Sequence, residues 1–477
     1  MSFLDLRPTD APALVDATDR STTSFRQLLE DAGRVQRTLP DDKRLVFLRS
    51  RNDRFTATTY LATQLGGHAL ALLDGTKPLA SQADTLARYR PDVVAGPEGT
   101  AAELADLGMV PGEVHRQSGG ELVSMDPGAE DRLHADLALL LGTSGTTGSS
   151  KYVRLSQRNI EANARAIAEY IGIEPRDRPI TSLPLHYSFG LSVLNSHWLA
   201  GAAVVLTSES VVQGSFWTTV TEHRCTSLAG VPYTYQLLER VGYRDMDLPS
   251  VDTMQQAGGA LDRSLTQRYS EHMGAKGGRL FVMYGQTEAT ARIAYVPPER
   301  LPEKLGSAGR AIPGGTLRID GAGSSSNDRP ASGEVIYEGP NVMMGYATQR
   351  ADLAAGDELG GVLRTGDIGY LDDDGYLFLT GRSKRIAKVF GLRINLDEVE
   401  LMLREHGPAA VVAGDESLRG FCGFGTDDSV LELKSSLSRR LQLHPSALDL
   451  RRVDSLPVTS SGKIDYREVE RWVRDGA

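Results

Sequence analysis

The sequence predicts an α/β protein in two parts. The first is a large N-terminal domain of parallel α/β sheets carrying a small β-barrel; the second is a small α+β C-terminal domain. Three observations lead there. Short apolar runs alternate with helical patterns over the first three hundred or so residues, the rhythm of strands joined by helical crossovers. From about Gly306 that rhythm gives way to short alternating strands divided by turns. Beyond Gly381-Arg382 a compact tail of roughly ninety residues remains, an ordinary size for an independent domain. A chain of 477 residues that is 40% hydrophobic buries a large core and exceeds one ordinary domain.

In chain order, Leu45 to Leu48 reads as a strand and Thr56 to Leu65 as a helix, followed by strands at Leu70 to Leu73 and Val93 to Ala95. At 139–155, "LLLGTSGTTGSSKYVRL", an apolar strand end meets a loop of glycines and hydroxyls. Ser156 then caps a helix with Ile160, Ala164, Ile167, Ala168 and Ile171 on one face. "AAVVLTS" (202–208), "TSLAGV" (226–231), "TMQQAG" (253–258) and "RLFVMYG" (279–285) are further strands. Ligands on parallel sheets sit at the carboxyl ends of strands, where "QQAGGA" and "MYGQTE" lie. "GSAGRAIPGGTLRID", "GEVIYEG" and "GYLFLTGR" make up the β-barrel part, about 306–380, and 321–333 reads as an irregular polar loop. In the tail, "NLDEVELMLREHG" is helix-like and "AAVVAG" strand-like.

The bulk numbers exclude several classes. A net charge of −10 without a basic tract argues against nucleic-acid binding. Cys225 and Cys422, the only cysteines, fit neither a disulfide framework nor a zinc site. The opening "MSFLDLRPTD" shows no signal peptide. Residues 179–208 hold no Asp, Glu, Lys or Arg, but prolines, histidines and serines interrupt them, so they read as buried core and not as a membrane span. The expectation is a soluble cytoplasmic protein.

The chemistry centres on the loop. Gly142, Gly145 and Gly148 alternate with Thr143, Ser144, Thr146 and Thr147, and Lys151 closes the run. Glycines let backbone N–H groups approach an anion, hydroxyls add donors and the lysine adds charge, which together make a phosphate cradle. The spacing is not that of the common nucleotide-triphosphate loop, because Ser149 and Ser150 separate Gly148 from Lys151. "TSGTTGSSK" resembles the signature loop of the adenylate-forming enzymes: acyl-CoA synthetases, luciferase-like proteins and peptide-synthetase adenylation domains. The resemblance covers about residues 130–470 and implies that the loop holds ATP phosphates while a carboxylate attacks the α-phosphate.

Further along, Tyr284-Gly285-Gln286-Thr287-Glu288 follows a strand. A carboxylate beside a triphosphate requires an intervening Mg²⁺, which makes Glu288 a metal ligand candidate. By resemblance Thr287 bonds a phosphate oxygen, Tyr284 stacks near adenine, and Gly258-Gly259-Ala260 lines the base. Asp367 is placed to accept from the ribose hydroxyls and Arg382 to reach ribose or phosphate. The resemblance also implies a mobile C-terminal domain, 384–477, hinged to 1–383 at Lys384. Lys388 and Arg393 would face the site in one domain arrangement and Lys463, on the turn "PVTSSGKIDY", in the other. Lys463 would neutralise the charge that develops as the adenylate forms.

For the substrate, "LPLHYSFGLSVLN" (183–195) resembles the segment bordering the acyl pocket, with His186 the candidate gate and Tyr187 and Phe189 the lining. The absence of an acid from Pro179 to Ser208 leaves an α-amino acid's ammonium without a partner. Aryl or aliphatic monocarboxylic acids are therefore expected. Arg292 has two readings, an exposed strand arginine, which is favoured, or a contact to a second anionic group on the substrate. The activity expected is an ATP-, Mg²⁺- and coenzyme A-dependent acid–thiol ligase. A carrier protein or an amine as acceptor, and a nucleotide-binding relative without ligase activity, are the alternatives.

Overall fold

A computed structural model describes residues 5–126, 132–142, 151–321, 332–382, 385–389, 392–414, 417–441, 443–459 and 462–475. It is of the predicted α/β class, with two large sheets. In the first, the strands Leu45–Ser50, Ala69–Asp74, Val93–Gly96 and Leu137–Gly142 form a parallel centre. In the second, Pro179–Ile180, Val204–Leu206, Ser227–Gly230, Thr253–Gln256 and Arg279–Tyr284 run parallel. Strands such as Leu45–Ser50, with every residue buried, need apolar runs and not alternation, which is how they read in the sequence.

The sheets are not purely parallel. Antiparallel strands finish their edges, including the hairpin Pro111–Gln117 with Gly120–Met125. The two sheets also draw strands from distant chain. Pro12–Asp16 lies parallel to Val204–Leu206 in the second sheet, and Gly345–Ala347 lies antiparallel to Tyr152–Ser156 at the edge of the first.

Between the sheets run two helices. Gln157–Ile171 begins at Ser156, whose hydroxyl accepts from Asn159 N at 3.1 Å in a reciprocal capping box, a cap that contributes about 1 kcal/mol. Ile160, Ala164, Ile167 and Ile171 on its inner face are buried. Ser188–Leu199 is buried from Ser188 to Trp198, which accounts for the absence of charge in this stretch. Among the described residues no helix is long and apolar enough to cross a membrane.

Where the sequence predicts a β-barrel part, Thr316–Asp320, Gly333–Glu338, Val362–Leu371 and Leu377–Arg382 form a four-stranded antiparallel sheet. The predicted irregular loop falls mainly on 322–331, outside the described residues. In the tail, Ala409–Gly414, Ser417–Cys422 and Leu448–Arg452 form a sheet packed with the helices Leu396–Arg404 and Asp427–Arg440 around an apolar core that includes Val399, Val411 and Leu448.

Candidate active site

The site lies at the carboxyl ends of the second sheet's strands. Arg279–Tyr284 ends at Gly285, where a Cβ would stand 1.9 Å from the carbonyl oxygen of Ala291, so only glycine allows the chain to double back this tightly. The turn that follows places Thr290 at φ 58° and Ala291 at φ 117°, conformations that cost of order 1–3 kcal/mol each. Asn341 holds it: its Nδ2 donates to the carbonyls of Ala289 and Arg292, both at 2.8 Å, and its own carbonyl accepts from Thr290 Oγ1 at 2.6 Å. The strain sits between the metal-ligand candidate Glu288 and Arg292.

Glu288 Oε1 accepts a 2.8 Å hydrogen bond from the Tyr346 hydroxyl, and Lys151 Nζ lies 3.3 Å from the centre of the same ring. One tyrosine thus joins the phosphate-loop lysine to the acidic residue. Burial and the neighbouring carboxylate raise the Tyr346 hydroxyl well above its ordinary pKa, so it remains a donor. Tyr346 was not evident in the sequence; it arrives on the late strand Gly345–Ala347, and no local motif marks it. Thr143, Ser144, Gly145, Thr146, Thr147 and Gly148 lie outside the described residues. Their flanks are paired strands, with Gly142 opposite Tyr152, so the expected strand–loop–helix is corrected to strand–loop–strand–helix. A carboxylate joined through Tyr346 to a lysine fits Mg²⁺, which is ordinarily held by one or two carboxylates together with substrate phosphates.

Asp367 and Arg382 are cross-strand partners, and Arg382 Nε donates to Asp367 Oδ1 at 2.9 Å. The other oxygen, Oδ2, accepts from the Tyr284 hydroxyl and from Gln286 Nε2 at 3.0 Å. Tyr284 and Gln286 therefore orient a buried carboxylate, a part the sequence did not assign to them. Thr287 Oγ1 lies 3.3 Å from Ser188 Oγ.

The tail reaches the same place. The bridge Val458↔Ile464 closes a turn that sets Lys463 Nζ 5.0 Å from the Tyr187 ring centre. A Cβ on Gly258 would meet Tyr187 Oη at 2.8 Å and Lys463 Cε at 3.5 Å, and one on Gly462 would meet Val231 Cγ2 at 2.7 Å. Gly258 thus lets the lysine close on the sheet. Gly259 lies by Pro232, where a Cβ would stand 3.3 Å from Cγ, and Ala260 is exposed. Lys388 and Arg393 face each other in register on the hairpin Ile386–Val389 and Leu392–Asn395; their side chains, and Lys384, lie outside the described residues.

His186 Nε2 lies 3.9 Å from Asp74 Oδ2, and Nδ1 has no hydrogen-bond partner. Burial lowers its pKa, with Asp74 opposing, so the ring is neutral near pH 7. Asp74 also escaped the sequence reading, although its place at a parallel strand's carboxyl end was the available signal.

Arg292 is the clearest correction. It is 1% exposed, not an exposed strand arginine. Its guanidinium carbon lies 3.9 Å from the Phe189 ring centre and its Nε 3.4 Å from Met283 Sδ. The turn held by Asn341 directs residue 292 inward, ahead of the buried strand Ala294–Val296.

Comparison with known proteins accords with this geometry. Residues 4–347 match the family described as AMP-binding enzyme. The chain is 31% identical to the oxalate–CoA ligase of Arabidopsis thaliana, over 70% of this chain and 67% of that protein. It is 30% identical to the indoleacetate–CoA ligase of Aromatoleum aromaticum, over 80% and 76%. The fold superposes on o-succinylbenzoate CoA synthetase from Bacillus subtilis, solved with its acyl-adenylate intermediate, at a TM-score of 0.76 and 23% identity, covering 97% of this chain and 95% of that one. The same enzyme with ATP and magnesium gives a TM-score of 0.74 at 23% identity, covering 97% of each.

Proposed function

The chain belongs to the AMP-binding enzyme family, and from that premise we propose that it joins a carboxylic acid to ATP, releasing pyrophosphate, and passes the acyl group to the thiol of coenzyme A. The observation that carries this reading is Lys463, seated against Tyr187 and Gly258 just past the strand Thr253–Gln256, whose neighbour Arg279–Tyr284 leads into Glu288 and bonds Asp367 through the Tyr284 hydroxyl.

In the first half-reaction a carboxylate oxygen bonds to the α-phosphorus as the bond to the β-phosphate oxygen breaks. Lys463 supplies positive charge where negative charge gathers on the carboxylate and the α-phosphate. Lys151 and the loop from Thr143 to Gly148 hold the terminal phosphates. Glu288 would hold Mg²⁺, which would neutralise phosphate charge when bound. Asp367, fixed by Tyr284, Gln286 and Arg382, accepts from the ribose, and Gly258, Gly259 and Ala260 border the base. The neutral His186 closes the thiol's path without adding charge. Lys388 and Arg393 take part when the tail, 384–477, turns about Lys384 for the second half-reaction. The 1–383 part holds the nucleotide in both arrangements. The lack of any acid from Pro179 to Ser208 to receive an ammonium supports a substrate other than an α-amino acid.

The test measures both half-reactions separately. Lys463→Ala is expected to slow pyrophosphate release by about 10²–10³-fold and still convert a supplied acyl-adenylate. Lys388→Ala is expected to spare pyrophosphate release and slow thiol transfer. Equal slowing of both steps by Lys463→Ala, or ADP in place of AMP as product, would overturn the reading. A carrier-protein thiol or an amine outcompeting coenzyme A would change only the acceptor.

A further inference from the structure

Arg292 is a permanent charge that, among the described residues, meets tyrosine hydroxyls but no carboxylate. Arginine keeps its proton at any working pH, and an uncompensated buried charge costs several kcal/mol. Among the described residues no carboxylate lies within ion-pair distance of it, and its Nη2 is buried without a hydrogen-bond partner. What surrounds the guanidinium is the Phe189 ring, Met283 Sδ and, against that same sulfur, the Tyr170 hydroxyl at 2.9 Å. A cation over an aromatic face is attracted by the ring, but the ring accepts none of the five N–H bonds that a guanidinium offers.

The position of this charge gives it a use. Phe189 packs edge-on to Tyr187, with ring centres 6.3 Å apart, and Tyr187 carries Lys463 over its ring. Arg292 and Lys463 therefore stand at the two ends of one aromatic wall, the wall the sequence assigns to the acyl pocket. A molecule lying along it with one carboxylate at Lys463 would bring its far end toward Arg292. The side chain is held for the purpose by its own backbone, whose carbonyl is fixed by Asn341 and, at 3.3 Å, by Asn163.

We propose that the acid this protein activates carries a second carboxylate, which Arg292 receives at the far end of the pocket through paired N–H···O bonds. This replaces the monocarboxylic acid expected from the sequence, and it rests on the acid-activating reading above.

The experiment is acid-dependent ATP–pyrophosphate exchange on the full chain. The probes are a series of aliphatic and aromatic dicarboxylic acids, each compared with its own monomethyl ester, which has the same shape but one charge fewer. At least one diacid is expected to exceed its ester in kcat/KM by about 10²-fold or more, because the ester leaves the guanidinium unpaired. Arg292→Leu is expected to bring that diacid down to the level of its ester, with Arg292→Lys between. The same diacid is expected to raise the melting temperature of the wild type and not that of Arg292→Leu. Esters used as well as diacids throughout the series would overturn the proposal, as would Arg292→Leu lowering ester and diacid alike. Should Arg292→Leu fail to fold, the wild-type preference alone decides. Exchange with monocarboxylic acids only would overturn this inference and leave the acid-activating reading standing; no exchange with any acid would overturn both.

Discussion

Arg154 and Arg292 are both shut away from solvent, at 0% and 1% exposure, yet their surroundings are opposite. Arg154 is saturated. Its Nε donates to Tyr346 O at 3.1 Å, its Nη1 to Gly356 O at 3.2 Å and to Ala355 O, and its Nη2 pairs with Glu358 at 2.9 Å. It ties the strand Tyr152–Ser156 to the chain around 344–358 and has nothing left to offer a ligand. Arg292 meets a ring, a sulfur and the Tyr170 hydroxyl, and keeps its Nη2 unspent. Burial alone does not distinguish a structural arginine from a binding one; the account of its donors does. Three measurements test the distinction.

The largest effect is expected from Arg154→Leu. Glu358 is itself more than half exposed, so its lost ion pair contributes little. Three half-buried carbonyls losing a charged donor should cost about 4 kcal/mol in all, seen as an earlier midpoint in urea. A loss below about 1 kcal/mol would mean that the saturated network is dispensable, and the contrast would fail.

Next comes a group that resolves buried charge by discarding it. His197 is 2% exposed, on the helix Ser188–Leu199, and its Nδ1–H donates to Val193 O at 2.8 Å. Burial lowers its pKa to about 4, with the bond to Val193 opposing. The unfolded chain takes up a proton near pH 6.5 and the folded chain does not until about pH 4. The stability tied to neutral His197 is thus fully present above pH 6.5 and is lost as pH falls toward 4, by about 3 kcal/mol. His197→Gln should remove that much of the acid-side slope in denaturation series run from pH 7 to 4.

The smallest effect is expected from Arg292→Leu without ligand, and its sign matters more than its size. Replacing an unpaired buried charge by a hydrocarbon of similar reach should leave stability equal or raise it by about 1 kcal/mol. A loss comparable to that of Arg154→Leu would place Arg292 with the structural arginines.

These residues also show what a sequence makes legible. The parallel strands were readable because continuous apolar runs such as Leu45–Leu48 have few other physical meanings, and Ser156 because a cap is a local device. Asp367 and Arg382 were legible through their resemblance to a family motif, whereas their partnership across a hairpin register emerged only with the fold. Tyr346 and Asp74 were not, because their partners Glu288 and His186 come from far along the chain and only folding brings them together. Arg292 was misplaced for another reason: a charged residue beside a strand is usually solvated, and the fold overrides that through Asn341 and two residues at positive φ.

The exchange of strands between the sheets matters before the protein is finished. Leu14 waits for Val204, and Val153 for Tyr346, partners made roughly 190 residues later in each case. At translation speeds of about 5–20 residues per second, each delay lasts roughly ten to forty seconds. During synthesis the open edge of each sheet can be capped by any neighbouring nascent chain, including a copy of this one on the same message. The period of greatest hazard is therefore set by the pace of the ribosome, whatever the stability of the completed molecule.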